Sequence, residues 1–308
     1  MISSLKKYRK KINETHTWEG KSRGGAWGHR FFIFLINKLS IRFAYFFLSF
    51  VVIYFIPFAP SSTKSIWKYY RKIQGFRFFK SLNMLYRNFY RFGQVLIDRI
   101  AVRSGQAQKY SYEFENYPAF LETLNSSKGV ILIGAHVGNW EIGSGFFGEY
   151  VKKINIVMLD AEYQKIKKLL EKNLNPVTYK IIPIQENDFT HIYRIKEALD
   201  NGEYVCFQGD RFIKDQSAKT VQFLGQPAKF SYSLFQLTER FNVPVVFYFS
   251  MCEKGMKYKF KFIIAKTDND GKSGLQADEL MDSYIHILEK ILKEYPEQWF
   301  NYYDFWNV

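Results

Sequence analysis

The sequence predicts an α/β domain with a mostly parallel sheet flanked by helices, preceded by an N-terminal hydrophobic helical membrane module. Three observations carry this. From about Tyr110 onward, short apolar runs alternate with stretches of helical spacing. Residues 43–63 contain no charged residue at all. Between them, residues 65–105 mix aromatic rings with Lys and Arg.

In chain order, residues 1–30 form a polar, basic segment that includes Lys6, Lys7, Arg9, Lys10 and Lys11. The run is too polar to be a signal peptide, which reaches its apolar region sooner and then shows a small-residue cleavage site. Residues 31–105 are expected to be membrane-associating helices. The uncharged stretch is about as long as a membrane-spanning helix, with Pro57 and Pro60 at its end and Lys38 and Arg42 near its start. A basic N-terminus belongs on the cytoplasmic side. The rest of the chain is basic too, which favours an in-plane anchor over a span without deciding between them. Leu82, Leu85, Tyr86 and Phe89 recur at helical spacing, among cations that would face anionic lipid or simply water.

Residues 106–308 are assigned to the α/β domain. Strands are expected at 129–134, 154–159, 180–184, 203–208, 243–252 and 258–266. Helices are expected at 139–151, 163–173, 189–201, 231–241 and 275–294. The turn Glu253-Lys254-Gly255-Met256 predicts that the last two strands form a hairpin. The sequence contains no repeat and no Pro/Gly/Ser-rich linker, so the two parts are expected to pack together.

Composition narrows the function. The net charge of +15 calls for a polyanionic partner: nucleic acid, an anionic membrane surface or an acidic carrier protein. With 31 Phe and 22 Tyr the balance tips to the membrane interface. No zinc-finger spacing, RNA-binding aromatic signature or basic zipper points to nucleic acid. Cys206 and Cys252 both lie in apolar runs and read as buried hydrophobes, with neither a disulfide framework nor zinc spacing.

The segment that carries chemistry is Gly134-Ala-His136-Val-Gly-Asn139-Trp-Glu141, where a buried strand ends and a helix is expected to begin. Active sites of open α/β sheets gather at such strand ends. His136 and Glu141 can meet across the corner. A carboxylate on one imidazole nitrogen fixes the tautomer and leaves the other as a general base. The segment holds no Ser or Cys nucleophile, so the simplest chemistry is direct attack by a substrate hydroxyl or amine. On pattern alone, a histidine near a glutamate is more often structural than catalytic. Asn139 reads as a helix N-cap, with Glu141 in the first turn that follows. No His- or Asp-rich set for a metal is present.

The His-x4-Glu pattern of His136–Glu141 resembles the motif of glycerolipid acyltransferases. Its fuller context is similar to the lipid A late acyltransferase family, and further segments agree in order. These are Tyr86-Arg-Asn-Phe-Tyr-Arg-Phe-Gly93, Gln208-Gly-Asp210-Arg211, Phe223-Leu-Gly225 with Pro227, Val243-Pro244-Val245, and Tyr295-Pro-Glu-Gln-Trp299. The N-terminal run Trp18 to His29 resembles a subgroup from bacteria that make aryl-polyene or flexirubin pigments and amino-acid lipids.

The resemblance implies a bacterial enzyme on the cytoplasmic face of the inner membrane. It would move a fatty acyl chain from an acyl carrier protein thioester, or acyl-CoA, to an amphipathic lipid acceptor, without a cofactor. His136 would be the base and Glu141 its orienter. Arg211 would bind substrate or stabilise the thioester oxyanion, Asp210 would orient Arg211 or the acceptor, Asn139 would contact substrate or serve purely as a cap, and Gly225 would serve a turn near the acyl or acceptor groove. A non-catalytic, membrane-anchored lipid-binding or scaffold protein is the alternative. His29 reads as an interface residue rather than a second catalyst, and His16, His191 and His286 fall on no recognised site.

Overall fold

The computed structural model describes residues 25–125, 128–143, 152–159, 179–185, 188–211, 217–265 and 276–306. The N-terminal elements are α1 (Gly25–Lys38), α2 (Ile41–Phe58), α3 (Pro60–Lys68) and the long α4 (Phe78–Ala101). Then come β1 (Ser111–Glu115), α5 (Tyr117–Leu124), β2 (Val130–Gly134), β3 (Ile154–Leu159), β4 (Tyr179–Ile184), α6 (Thr190–Asp200) and β5 (Tyr204–Gln208). The chain closes with β6 (Ala218–Phe223), β7 (Gln226–Ser231), α7 (Tyr232–Phe241), β8 (Val245–Cys252), β9 (Lys257–Ile264) and α8 (Ala277–Glu294).

Seven strands form one sheet in the order β1-β9-β8-β2-β5-β3-β4. From β8 to β4 every neighbouring pair is parallel, and β9 runs antiparallel to β8 through the expected hairpin. β2 is the central strand, and all five of its residues are buried, as a strand covered on both faces requires. β9 alternates: Tyr258, Phe260 and Phe262 are buried, while Lys257, Lys259 and Lys261 face Glu113 and Glu115 or Glu294. The α/β architecture with a mostly parallel sheet is thus as expected.

Several elements escape the sequence pattern. The β6–β7 hairpin turns on Leu224 and Gly225, both at positive φ (52° and 78°), without the usual Asn-Gly or Asp-Gly signal. β1 and α5 are likewise unanticipated. The expected helix 163–173 lies outside the described residues. The one expected at 139–151 shows only its first turn, Trp140–Gly143, and the remainder lies outside them, as does His16.

α2 begins at a Ser40 cap, whose Oγ accepts from the Phe43 N–H at 3.0 Å. Its buried residues, Ile41, Ala44, Leu48 and Val52, fall at helical spacing on one face. That face lies along α4, where the absence of a side chain at Gly93 makes room for Leu48. The opposite face is bare: Phe46 is 60% exposed, Phe50 55% and Ile53 63%.

A buried carboxylate secures this helix pair to the sheet. Asp98 on α4 is fully buried and accepts hydrogen bonds from the hydroxyls of Tyr45 on α2, Tyr110 and Tyr258 on β9. Burial raises its pKa from 3.8 to about 6, and the tyrosine hydroxyls and Arg91 offset part of the rise. A carboxyl raised in the folded state contributes its stability in full below 3.8 and loses it as pH rises through about 6. Asp98→Asn is therefore expected to flatten the pH dependence of stability across that window in urea denaturation. Asp98→Ala, which leaves three tyrosine hydroxyls without their acceptor, should cost about 3 kcal/mol.

Candidate active site

Three segments converge at the carboxyl end of β2. The first is the β2 exit, 134–139. The second is the β5 exit, Gln208-Gly209-Asp210. The third is the C-terminal stretch from Pro296 onward. The Gly134 carbonyl accepts from the Gly209 N–H and from the Tyr284 hydroxyl, each at 2.9 Å. The Phe300 N–H donates to the His136 carbonyl at 2.8 Å, and Val137 bridges Trp299. Gly138 sits at φ +62°, and a Cβ there would lie 1.9 Å from the Ser250 carbonyl oxygen, so only glycine allows β8 to approach this closely.

Asp210 is the hub. Its Oδ1 lies 2.8 Å from His136 Nδ1, both oxygens accept from the His136 backbone N–H at 3.0 Å, and Oδ2 accepts from Trp299 Nε1 at 2.9 Å. Burial alone would raise this carboxyl. The charge and hydrogen bond of His136, then Arg211 and the Trp299 N–H, outweigh it and hold the pKa at about 2. An ionised carboxylate can only accept, so Nδ1 carries the proton, and in the neutral form of the ring Nε2 keeps a free lone pair. The His136 side chain keeps 20% of its surface exposed, against 1% for Asp210.

The His-x4-Glu pattern pairs His136 with Glu141; the structure puts Asp210 on Nδ1 instead. Glu141 forms an ion pair with Arg99 of α4 at 3.2 Å and accepts from the Tyr179 hydroxyl at 3.3 Å. The physical reason is local: the chain turns sharply at Gly138 and enters a short 3₁₀ turn, which sets Glu141 beside α4 and β4. Asp210, expected to orient Arg211 or the acceptor, holds the imidazole. Arg211 immediately follows it and is half-buried.

Asn139 is fully buried. Its Oδ1 accepts from Arg99 Nε at 3.1 Å and its Nδ2 donates to the Tyr258 hydroxyl at 3.3 Å, so its side chain serves the scaffold. Gly225 sits at the β6–β7 turn. Its neighbour Phe223 packs on Trp299, with ring centres 5.9 Å apart.

Four contributors went unrecognised in the sequence: Trp299 as donor to Asp210, and Arg99, Tyr179 and Tyr258 around the turn. The Y-P-x-x-W ending marked Trp299 but not its task. His191 is occupied at the start of α6, where its Nδ1 lies 2.8 Å from the Asp188 carbonyl. Both cysteine thiols are pushed up to about 12 by burial, which suits the reading of inert hydrophobes.

A mostly parallel α/β sheet with an Asp-held histidine at the end of its central strand defines an enzyme-like corner. The family of bacterial lipid A biosynthesis acyltransferases matches residues 15–306. The chain belongs to that family and is an acyltransferase. No individual curated protein matches it.

The corner makes a contrast between two glycines. Gly138→Ala, facing the Ser250 carbonyl at positive φ, should cost more than about 2 kcal/mol and abolish activity. Gly225→Ala, also at positive φ but in open space, should cost about 1 kcal/mol and leave activity intact. Thermal denaturation alongside an acyl-transfer assay checks both.

Proposed function

We propose that the chain transfers a fatty acyl group from an acyl carrier protein thioester to a hydroxyl or amine of a membrane lipid or lipid-like acceptor, with His136 as general base. The observation that carries this reading is the Asp210 carboxylate on His136 Nδ1. It fixes the tautomer in which Nε2 can take the acceptor's proton. The acceptor oxygen or nitrogen then attacks the thioester carbonyl carbon. The negative charge that gathers on the carbonyl oxygen is of the kind the Arg211 guanidinium can stabilise. Collapse breaks the carbon–sulfur bond, and the proton held on His136 passes to the departing thiolate. Asp210 stays ionised throughout and stabilises the imidazolium between the two transfers, as in the Ser-His-Asp arrangement.

Within this scheme Glu141 is a positioning residue. Its pair with Arg99 pins the 139–143 turn to α4, and Asn139 and the Trp140 ring both contact the same guanidinium. In transfer from labelled acyl carrier protein into a lipid extract, His136→Ala and Asp210→Asn should each lower kcat by about 10²–10⁴-fold. Glu141→Gln should lose far less. Wild-type rates in Asp210→Asn, with Glu141→Gln inactive, would reverse the assignment.

Attachment to the bacterial inner membrane is supported by the bare face of α2. This is the one helix among the described residues long and apolar enough to cross a bilayer, with a mean hydropathy of 1.9. Phe46, Phe50, Ile53 and Tyr54 are exposed along it, while its other side is docked on α4 through Leu48 and the Tyr45–Asp98 bond. A helix spent on one side against its own domain suits an in-plane anchor, with its bare side in the acyl layer. Phe50→Glu combined with Ile53→Glu should release the protein from the membrane pellet without unfolding it. Retention in the pellet would contradict the assignment of this face.

A further inference from the structure

A cavity of about 390 Å³ lies where the start of α2, the middle of α4 and the β8–β9 turn meet. Arg42, Arg87, Arg91 and Lys254 converge on it. Opposing charge is sparse: Glu253 is the lone carboxylate in its lining, and it accepts from the Tyr295 hydroxyl at 2.6 Å. Arg87 is committed to Glu297, and Arg91 donates to Gln94 at 3.0 Å and to Cys252 Sγ at 3.3 Å. Arg42 and Lys254 are exposed and form no ion pair among the described residues. The cavity therefore keeps an excess of positive charge, part of it held in place by the fold.

Its position gives that charge a use. Arg42 directly precedes the exposed Phe43 and stands one helical turn before Phe46, so the cations sit at the end of the bare apolar stripe of α2. On α4, Lys80, Arg87 and Arg91 fall on one face, and the exposed Phe78, Phe79 and Leu82 flank Lys80 in sequence; Lys80 and Arg87 also line a second cavity, where Lys293 stands with Glu294 and Glu297. Rings that enter the acyl layer, with guanidinium and ammonium groups immediately above them, match the layering of a phospholipid. None of His136, Asp210 or Arg211 lines the cavity.

We infer that the Arg42–Arg91–Lys254 cavity binds the phosphate headgroup of an anionic bilayer phospholipid. It would seat the enzyme at a defined depth and orientation, separately from the reacting acceptor. The inference rests on the membrane attachment proposed above. Fixing the domain against the bilayer would hold the carboxyl end of the sheet toward a lipid acceptor.

The test is sedimentation of the full chain with phosphatidylcholine vesicles and with vesicles containing phosphatidylglycerol. Each cation near the surface contributes about fivefold in affinity. Arg42→Gln with Lys254→Gln should therefore lose roughly 25-fold of the preference for the anionic vesicles, with phosphatidylcholine binding unchanged. Lys180→Gln with Arg194→Gln removes the same charge at the far edge of the sheet and should keep the preference. An undiminished preference in the first pair, or an equal loss in the second, overturns the site while leaving membrane attachment standing. Full displacement by inorganic phosphate overturns the lipid assignment in favour of a soluble anion. Failure of the wild type to sediment with either vesicle removes the membrane reading, and this inference with it.

Discussion

The Asp210 carboxylate is taken out of water at the end of β5 and surrounded by donors: the His136 backbone and imidazole on one side, the Trp299 indole on the other. A charge buried this deeply is tolerable only when its lone pairs are filled, and here they are filled by groups from two other segments of the chain. One carboxylate therefore fixes the β2 exit against the C-terminal stretch while setting the imidazole tautomer. The packing follows from it. Trp299 must point inward to reach Asp210, and Tyr69, Phe223, Phe305 and Trp306 close around its ring. Asn88 on α4 fastens the same stretch by donating to the Glu297 and Trp299 carbonyls.

A second buried carboxylate plays the corresponding part beside the N-terminal helices. Asp98 gathers hydroxyls from α2, from the segment entering β1 and from β9. The next residue, Arg99, reaches the 139–143 turn through Asn139 and Glu141. Two consecutive residues on α4 thus connect the apolar helix to the corner that carries His136. The apolar helix is built into the α/β domain through this contact rather than tethered to it, which agrees with the lack of a linker in the sequence.

Much of the fold is legible because its central strands are uniformly apolar and its helices periodic. β2, β3, β5 and β8, with α6, α7 and α8, lie close to where pattern and turn residues place them. The β6–β7 hairpin was not legible, since Leu224 supplies a positive φ that a leucine rarely adopts. In the site, the strand-end rule and the order of the motifs single out His136, Asp210 and Arg211. Their pairing is a different matter. Glu141 is near His136 in sequence, whereas Asp210 is 74 positions away and becomes its neighbour only because β2 and β5 are adjacent and parallel. Sequence proximity pointed to Glu141 as the partner of the imidazole, whereas sheet topology brings Asp210 to its Nδ1. Asn139 shows the same limit from the other direction: its cap-like pattern is real, but its side chain is claimed by Arg99 and Tyr258, both distant in sequence.

The central claim is that Asp210 sets the state of His136, and the imidazole itself reports on it. Nitrogen-15 NMR of the five histidines, with His136 assigned by its absence in His136→Gln, reads which ring nitrogen bears the proton. The account predicts a neutral His136 protonated at Nδ1, a tautomer that survives Glu141→Gln and is lost in Asp210→Asn. A His136 protonated at Nε2, or a tautomer that changes with Glu141 and not with Asp210, would contradict it.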